Sequence, residues 1–322
     1  MNSGWNKYGI RNKELEMRNT YLKFIAALFL FGSNGIIAGM ISMNSYEIVF
    51  FRTMIGALVL TALFIAVRKK SLRSGKADSS VMIPSEKKKL ALVIGSGICM
   101  GVSWMFLYEA FASIGVGIST VIYYTAPIAL IMLSPFIFGE KLTGKKIACF
   151  SAVVLGMLLI NIESVAGSFN FHGTFCAAMS AVSFVVMLVL NKKSAVSGIV
   201  NSVFQLGSAF ASAAVCCFAL YGGVSLPATL SDAAWLIVLG VVNTGIGCFL
   251  YFSNFTQIPV QTVSILGYIE PVSAIVLASV ILSEDMTALQ TAGIAVVMIA
   301  SILAEVRLPA AQSPALAHRS RI

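Results

Sequence analysis

Charge is what this 322-residue chain has least of. Only 11% of its residues are Asp, Glu, Lys or Arg, against about a quarter in an average globular domain. Histidine is almost absent, with only His172 and His318, and none of the six cysteines stands in a C-x-x-C pair. Those scarcities exclude a zinc cluster or a disulfide framework as the organising chemistry, and no metal is called for. No phosphate loop or nucleotide motif occurs, so the chain does not hydrolyse ATP by itself, and no cofactor is implied. What fills the sequence instead is apolar: 58% of the residues are hydrophobic. One soluble core of this length cannot hide so many, because part of every core helix faces water. A bilayer removes that conflict. Composition therefore rules out an ordinary soluble enzyme, a disordered chain and a disulfide-stapled module.

The apolar residues fall into ten runs: 21–41, 46–67, 90–112, 116–138, 147–162, 173–190, 199–221, 233–253, 262–282 and 288–304. About 20 helical residues cross a hydrocarbon core. The runs are continuous rather than alternating, which excludes a β-barrel. The expected fold class is an all-α membrane protein of ten transmembrane helices. The first run is too long for a cleaved signal and lacks an A-x-A site, so it is expected to stay.

The formal net charge is +9. In a soluble chain that would suggest nucleic acid; in a membrane chain it reads as an orientation signal, with the lipid bilayer as partner. Residues 1–23, the 68–89, 139–146 and 191–198 loops and the tail after 304 hold 21 of the 22 Lys and Arg residues. The five intervening loops hold none, and Arg52 lies within a run. By the positive-inside rule both termini are expected in the cytoplasm of a cytoplasmic-membrane protein. The 68–89 loop reads as mobile, and the tail, with Pro309 and Pro314, as disordered.

The chain also repeats itself. A shift of 144 residues carries Tyr124 onto Tyr268, Pro127 onto Pro271, Glu140 onto Glu284 and Thr143 onto Thr287. Agreement of Tyr, Pro, Glu and Thr in one register is not a by-product of apolar composition. Each half holds five runs. Five is odd, so the second half enters the membrane from the opposite side and the halves are inverted. Inverted repeats characterise secondary transporters, with substrate held near the midplane between them. The expected organisation is a cytoplasmic segment 1–20, a first repeat 21–162, a second repeat 173–304 and a cytoplasmic tail 305–322.

Three stretches carry a family resemblance: FFRTMIGALVL (50–60), YYTAPIALIMLSPFIFGEKLTGKK (123–146) and GYIEPVSAIVLASVILSE (267–284). With them the chain resembles an EamA-type member of the drug/metabolite transporter superfamily, as two tandem repeats across 21–304. The resemblance implies ten helices in inverted five-helix halves and export of amino acids or other small metabolites. It also implies that an Arg in the second run and a Glu-Pro pair in the second repeat are regular features. It says little about the solute.

An ionised group at the bilayer centre costs about 2.5–3.5 kcal/mol on insertion scales, so each one within a run requires a reason. Glu270 precedes Pro271 near the middle of the ninth run. A proline there leaves the carbonyl of Gly267 without its donor and bends the axis, as Pro127 does for Tyr123. Such breaks are where transporters build sites. Glu270 is suited to coupling proton entry to solute exit or to binding an amino group; the alternative is a carboxyl that only caps freed backbone donors. Arg52 and Glu109 lie at similar depth and read either as a static ion pair or as pathway residues. Glu47 reads as a solvated interfacial carboxylate. Trp104, Tyr108, Tyr124 and Tyr268, with Tyr123 and Tyr251, form walls for apolar solute parts or a cationic amine, or else pack structurally. Asn34 and Asn243 either line the cavity or join helices. Glu140 and Glu284 read as structural turns, and Thr287–Gln290 as a capping box. Gly35, Gly39, Gly97 and Gly101 are read as close helix contacts. The expected activity is therefore secondary transport of a small-molecule substrate by alternating access, without enzymatic turnover. An uncoupled facilitator and a membrane-embedded lipid-modifying enzyme are the alternatives, and no feature demands a particular oligomeric state.

Overall fold

A computed structural model describes residues 3–74, 81–161, 170–282 and 287–305. Among the described residues there is helix and no strand. By length and composition, eight helical stretches suffice to cross a membrane: Met17–Gly39, Ser45–Arg73, Lys87–Val116, Ile118–Phe138, Phe171–Ser194, Gly198–Leu220, Leu230–Phe255 and Val260–Ile281. Ala288–Ala304 is a shorter apolar helix.

The first long helix, α1 (Ser3–Gly32), breaks at Ser33 and continues as the short α2 (Asn34–Gly39). Helix α3 (Ser45–Ser74) runs well past the apolar residues into the basic stretch. Part of the connection read as a mobile loop is thus helical, because Lys and Arg are good helix formers where water solvates them. Residues 75–80 of that loop and the tail from 306 lie outside the described residues.

Helix α4 (Lys87–Tyr123) holds a reversal at Gly115, whose φ of 79° only glycine adopts without strain. Its last residues, from Val116, begin the next crossing. That crossing breaks at Tyr124 and resumes as α5 (Thr125–Phe138). It is followed by α6 (Gly144–Asn161), α7 (Phe171–Ser194) and α8 (Gly198–Leu220). The next crossing is α9 (Leu230–Val238), a π-helical segment Leu239–Ile246, and α10 (Gly247–Phe255). Helix α11 (Val260–Leu266) breaks at Gly267 and Tyr268 and resumes as α12 (Ile269–Leu282); α13 (Ala288–Glu305) closes the fold. The capping box at the start of α13 forms as expected: Thr287 N donates to Gln290 Oε1 at 3.0 Å and Gln290 N to Thr287 Oγ1 at 3.3 Å.

The two halves of the chain interlock. Helix α4 lies along both α7 and α8, α3 along α8 and the π segment, α1 along α10 and α12, and α6 along α13. Helices in lipid gain nothing from hiding apolar surface, so they associate through small residues and hydrogen bonds. Gly97 and Gly101 of α4 meet α8 so closely that a Cβ on Gly101 would stand 2.1 Å from Ser212 Oγ. Gly156 and Gly293 do the same where α6 crosses α13. Gly35 and Gly39 differ from expectation: nothing lies within 4 Å of where their Cβ atoms would be. They make no close helix contact because they look onto a cavity instead.

Between α4 and α7, Ser103 Oγ donates to Ser180 O at 2.9 Å and Ser180 Oγ donates to Ser103 O at 2.8 Å. Each Ser→Ala substitution is expected to cost about 1 kcal/mol. Each hydroxyl is bonded to a backbone carbonyl that the substitutions leave in place, and the hydroxyls themselves lie 3.1 Å apart, so the two costs should add to within about 1 kcal/mol. Strong coupling in a double-mutant unfolding cycle would show that the hydroxyls depend on each other instead.

Candidate functional site

The two helix breaks meet. Tyr124 and Tyr268, related by the 144-residue shift, lie with ring centroids 5.7 Å apart, and Tyr268 Oη donates to Tyr124 O at 2.9 Å. Each break stands three residues before the proline of its half, Pro127 or Pro271. A proline cannot supply the N–H that would complete the preceding turn, so unwinding there frees carbonyls at the junction of the halves. The carbonyl of Gly267 accepts from Glu270 N at 3.2 Å instead, and the Tyr268 hydroxyl ties the two breaks through the neighbouring carbonyl of Tyr124.

Around this junction lies an open cavity of about 1180 Å³. Its mouth is formed by Gly39, Met43, Ser45 and Val116, and it descends past Arg52 and Tyr108 to Glu270. Beneath it is a second, more enclosed space of about 660 Å³. Six residues belong to both walls: Phe31, Asn34, Trp104, Tyr123, Tyr124 and Glu270. They form a waist. The chamber beyond is lined mainly by apolar groups, among them Met100, Phe184, Met187, Cys248 and Phe252.

Arg52 comes from α3 and is 3% exposed. Its Nη1 donates to Tyr108 Oη at 2.7 Å, its guanidinium carbon lies 4.3 Å from the Trp104 ring centroid, and its Nε has no partner. Among the described residues no carboxylate pairs with it. The Arg52–Glu109 ion pair is not made. Tyr108 and Glu109 are successive residues of α4, so their side chains leave the helix about 100° apart. Tyr108 turns to Arg52, whereas Glu109 turns away to His172 Nε2 at 3.2 Å and Tyr221 Oη at 3.3 Å. Glu109 lines neither chamber.

Asn34 opens α2 at the waist, and its Oδ1 is buried without a partner. Asn243 does not line the cavity. Its Nδ2 donates to Leu30 O at 2.8 Å and to Ser33 Oγ at 2.7 Å, holding the α1–α2 break against the π segment. Glu47 is not solvated. It is 3% exposed and accepts from the backbone N–H groups of Asn44 and Ser225, so it pins the loop before α9.

The sequence-derived residues brought together are thus Arg52, Asn34, Trp104, Tyr108, Tyr124 and Glu270, with Tyr268 bracing them from behind. The inner chamber's Met100, Phe184, Met187 and Phe252 carried no signal in the sequence, being apolar residues among apolar residues. The assembled wall offers one cation, one carboxyl, an orphaned amide oxygen and aromatic faces. It holds no nucleophile–base pair.

Residues 18–162 and again 171–305 match the EamA-like transporter family. The uncharacterized transporter YxxF of Bacillus subtilis is 25% identical over 294 residues, covering 89% of each chain. The protein PecM of Dickeya dadantii is 22% identical over 217 residues, covering 66% of this chain and 73% of PecM. A crystal structure of a protein 20% identical superposes with a TM-score of 0.70, covering 89% of this chain and 97% of that one, and so shares its fold. The chain belongs to the EamA-like transporter family: it is a multi-pass membrane transporter, not an enzyme, with the family's domain occurring twice in tandem.

Proposed function

We propose that the protein exports small zwitterionic metabolites, amino acids or their relatives, across the cytoplasmic membrane by alternating access, with proton coupling through Glu270. The observation that carries this reading is the unpaired Arg52, buried on the cavity wall above Glu270. A buried guanidinium without an ion-pair partner is costly, and a solute carboxylate would supply that partner in bidentate geometry. Glu270 and the orphaned Asn34 Oδ1 would take the ammonium, and the apolar inner chamber a side chain. The ten crossings consist of the eight long stretches together with α6 and α13. The helix pairing supports inverted halves: exchanging first and second halves turns the α4–α7 pair into the α1–α10 pair, while α3–α8 and α6–α13 map onto themselves. The Lys-rich loops put the closed end and both termini in the cytoplasm, so the cavity opens outward.

Groups facing Glu270 across the two chambers are Arg52 from α3, Tyr123 and Tyr124 at the fourth-crossing break, and Cys248 and Tyr251 from α10. Proton exchange at Glu270 is the coupling step, because protonation removes the charge that holds the ammonium. In cells overproducing the protein, one amino-acid-like compound is expected to accumulate in the medium, driven by an inward proton gradient. Glu270→Gln is expected to lose at least about a hundredfold of gradient-driven export and to become insensitive to pH, the lower end of what a positioned proton-transfer group contributes. Full pH-dependent export by that variant would end the coupling reading. A medium indistinguishable from the empty-vector control would end the export reading.

A further inference from the structure

At the end opposite the mouth, a polar seam joins the halves. After α5, Gly139 takes a φ of 68° and turns the chain so that Glu140 points across to α11 rather than along its own turn. The first N–H groups of a helix have no partner within it. Glu140 Oε1 accepts from Val260 N at 2.8 Å and Oε2 from Gln261 N at 3.1 Å. The wholly buried Gln261 extends the seam: its Oε1 accepts from Lys146 Nζ at 2.7 Å and its Nε2 donates to Ser134 Oγ at 2.9 Å. Close by, Lys192 Nζ donates to the carbonyls of Thr256 and Ile258, holding the turn that leads into α11. Glu140 therefore does more than close a local turn, contrary to the sequence expectation.

Glu284, the repeat counterpart of Glu140 and likewise read as a turn, lies outside the described residues; among those described, the repeat-related place at the mouth is different. There α12 faces the Val116–Tyr123 segment across the cavity, with Pro271 and Ala274 on one wall and Val116 and Thr120 on the other. One end is sealed by α5 on α11, and its counterpart is open.

We propose that Glu140 is the positioning residue that holds this end closed: its bidentate grip on the start of α11, with Lys146 and Gln261 behind it, selects the state open at the mouth. The inference rests on the transporter reading, but its test does not need a substrate. The grip joins elements from opposite halves, so it must break for the inner chamber to open at this end. Charge-assisted bonds to two backbone donors are the strongest ties described at the seam.

Cys248 is fully buried and lines the inner chamber, so it reports opening. With the other five cysteines replaced by Ala, its labelling by a membrane-impermeant thiosulfonate is measured in oriented vesicles with reagent added at either side. Glu140→Gln is expected to raise the rate from the Lys146 side at least about tenfold, as loss of charge-assisted bonds does to a two-state equilibrium. A second variant, Val260→Pro, removes one donor and leaves Glu140 intact; proline is well tolerated at the first helical position. It is expected to raise the same rate severalfold. Unchanged rates in both variants, or a rise only from the mouth side, would overturn the proposal and leave Glu140 a static cap. Failure of the wild type to export any solute would undo the export reading and leave the labelling result standing.

Discussion

Replacing Arg52 by Met is expected to abolish transport while leaving the folded protein at least as stable as the wild type. Most buried substitutions destabilise, so the sign of the second effect is the informative one. Arg52 is 3% exposed, lies over Trp104, and has a single hydrogen bond, to Tyr108. No carboxylate among the described residues lies within ion-pair distance of it, and Glu270 faces it only across the cavity. The close contacts that offset the cost of holding that charge away from water are one hydroxyl and the rings of Trp104 and Tyr108. Methionine matches the length of the aliphatic stem and keeps the contact with Trp104. Removing the charge should therefore raise stability by about 1–3 kcal/mol, as removal of buried ionic groups often does. Against this, a solute carboxylate that has shed its water would lose its counter-charge, which costs about 2–5 kcal/mol and so more than 30-fold in transport. Thermal melting in detergent and solute flux in vesicles check the two halves separately. Retained transport would remove Arg52 from the site. Lowered melting with lost transport would make it a structural residue.

Gly101→Leu should prevent the protein from folding into its native helix packing, whereas Gly35→Ala should cost under about 1 kcal/mol. The contrast is geometric. At Gly101 a Cβ would meet Ser212 Oγ at 2.1 Å and Ala209 O at 2.4 Å. The carbonyl belongs to the α8 backbone and cannot swing aside, so α4 and α8 must separate along a seam that also holds Gly97. Overpacking a tight contact costs about 1–3 kcal/mol for a few methylenes where neighbours yield, and more where the obstacle is backbone. At Gly35 nothing lies within 4 Å, and alanine is the better helix former. The yield of monodisperse protein and its melting temperature test both. Normal folding of Gly101→Leu would mean that the α4–α8 crossing is looser than the structure shows. Impaired transport by a stable Gly35→Ala would place α2 on the solute path.

These two glycines look alike in the sequence: each belongs to a pair spaced four residues apart in an apolar run. A hydropathy pattern cannot separate a helix face that touches another helix from one that borders a cavity, because both faces carry small residues. The same limit applied to Arg52 and Glu109. Equal depth made them candidate partners, and depth is all that a one-dimensional count of residues from a run's end supplies. The direction of each side chain around its helix, a matter of 100° per residue, sent Glu109 to His172 and Arg52 to Tyr108. Glu140 shows the limit over a longer range. Its nearest sequence signal is the Thr three residues on, yet its partners are 120 and 121 residues away.

The sequence by itself determined that the chain belongs in a bilayer, where most crossings begin and end, that it holds two related halves, and that Glu270-Pro271 marks a break near the middle of one. Those properties follow from composition, run length, the shift of 144 and the missing N–H of proline, each of which is local or periodic. Only the tertiary structure decided that Tyr124 and Tyr268 meet, that Arg52 is buried without an ion-pair partner, and that one end is sealed while the other is open. Those depend on helix rotation and on contacts between halves. In lipid such contacts are set by small residues and a few hydrogen bonds rather than by the hydrophobic pattern, so the pattern carries little information about them.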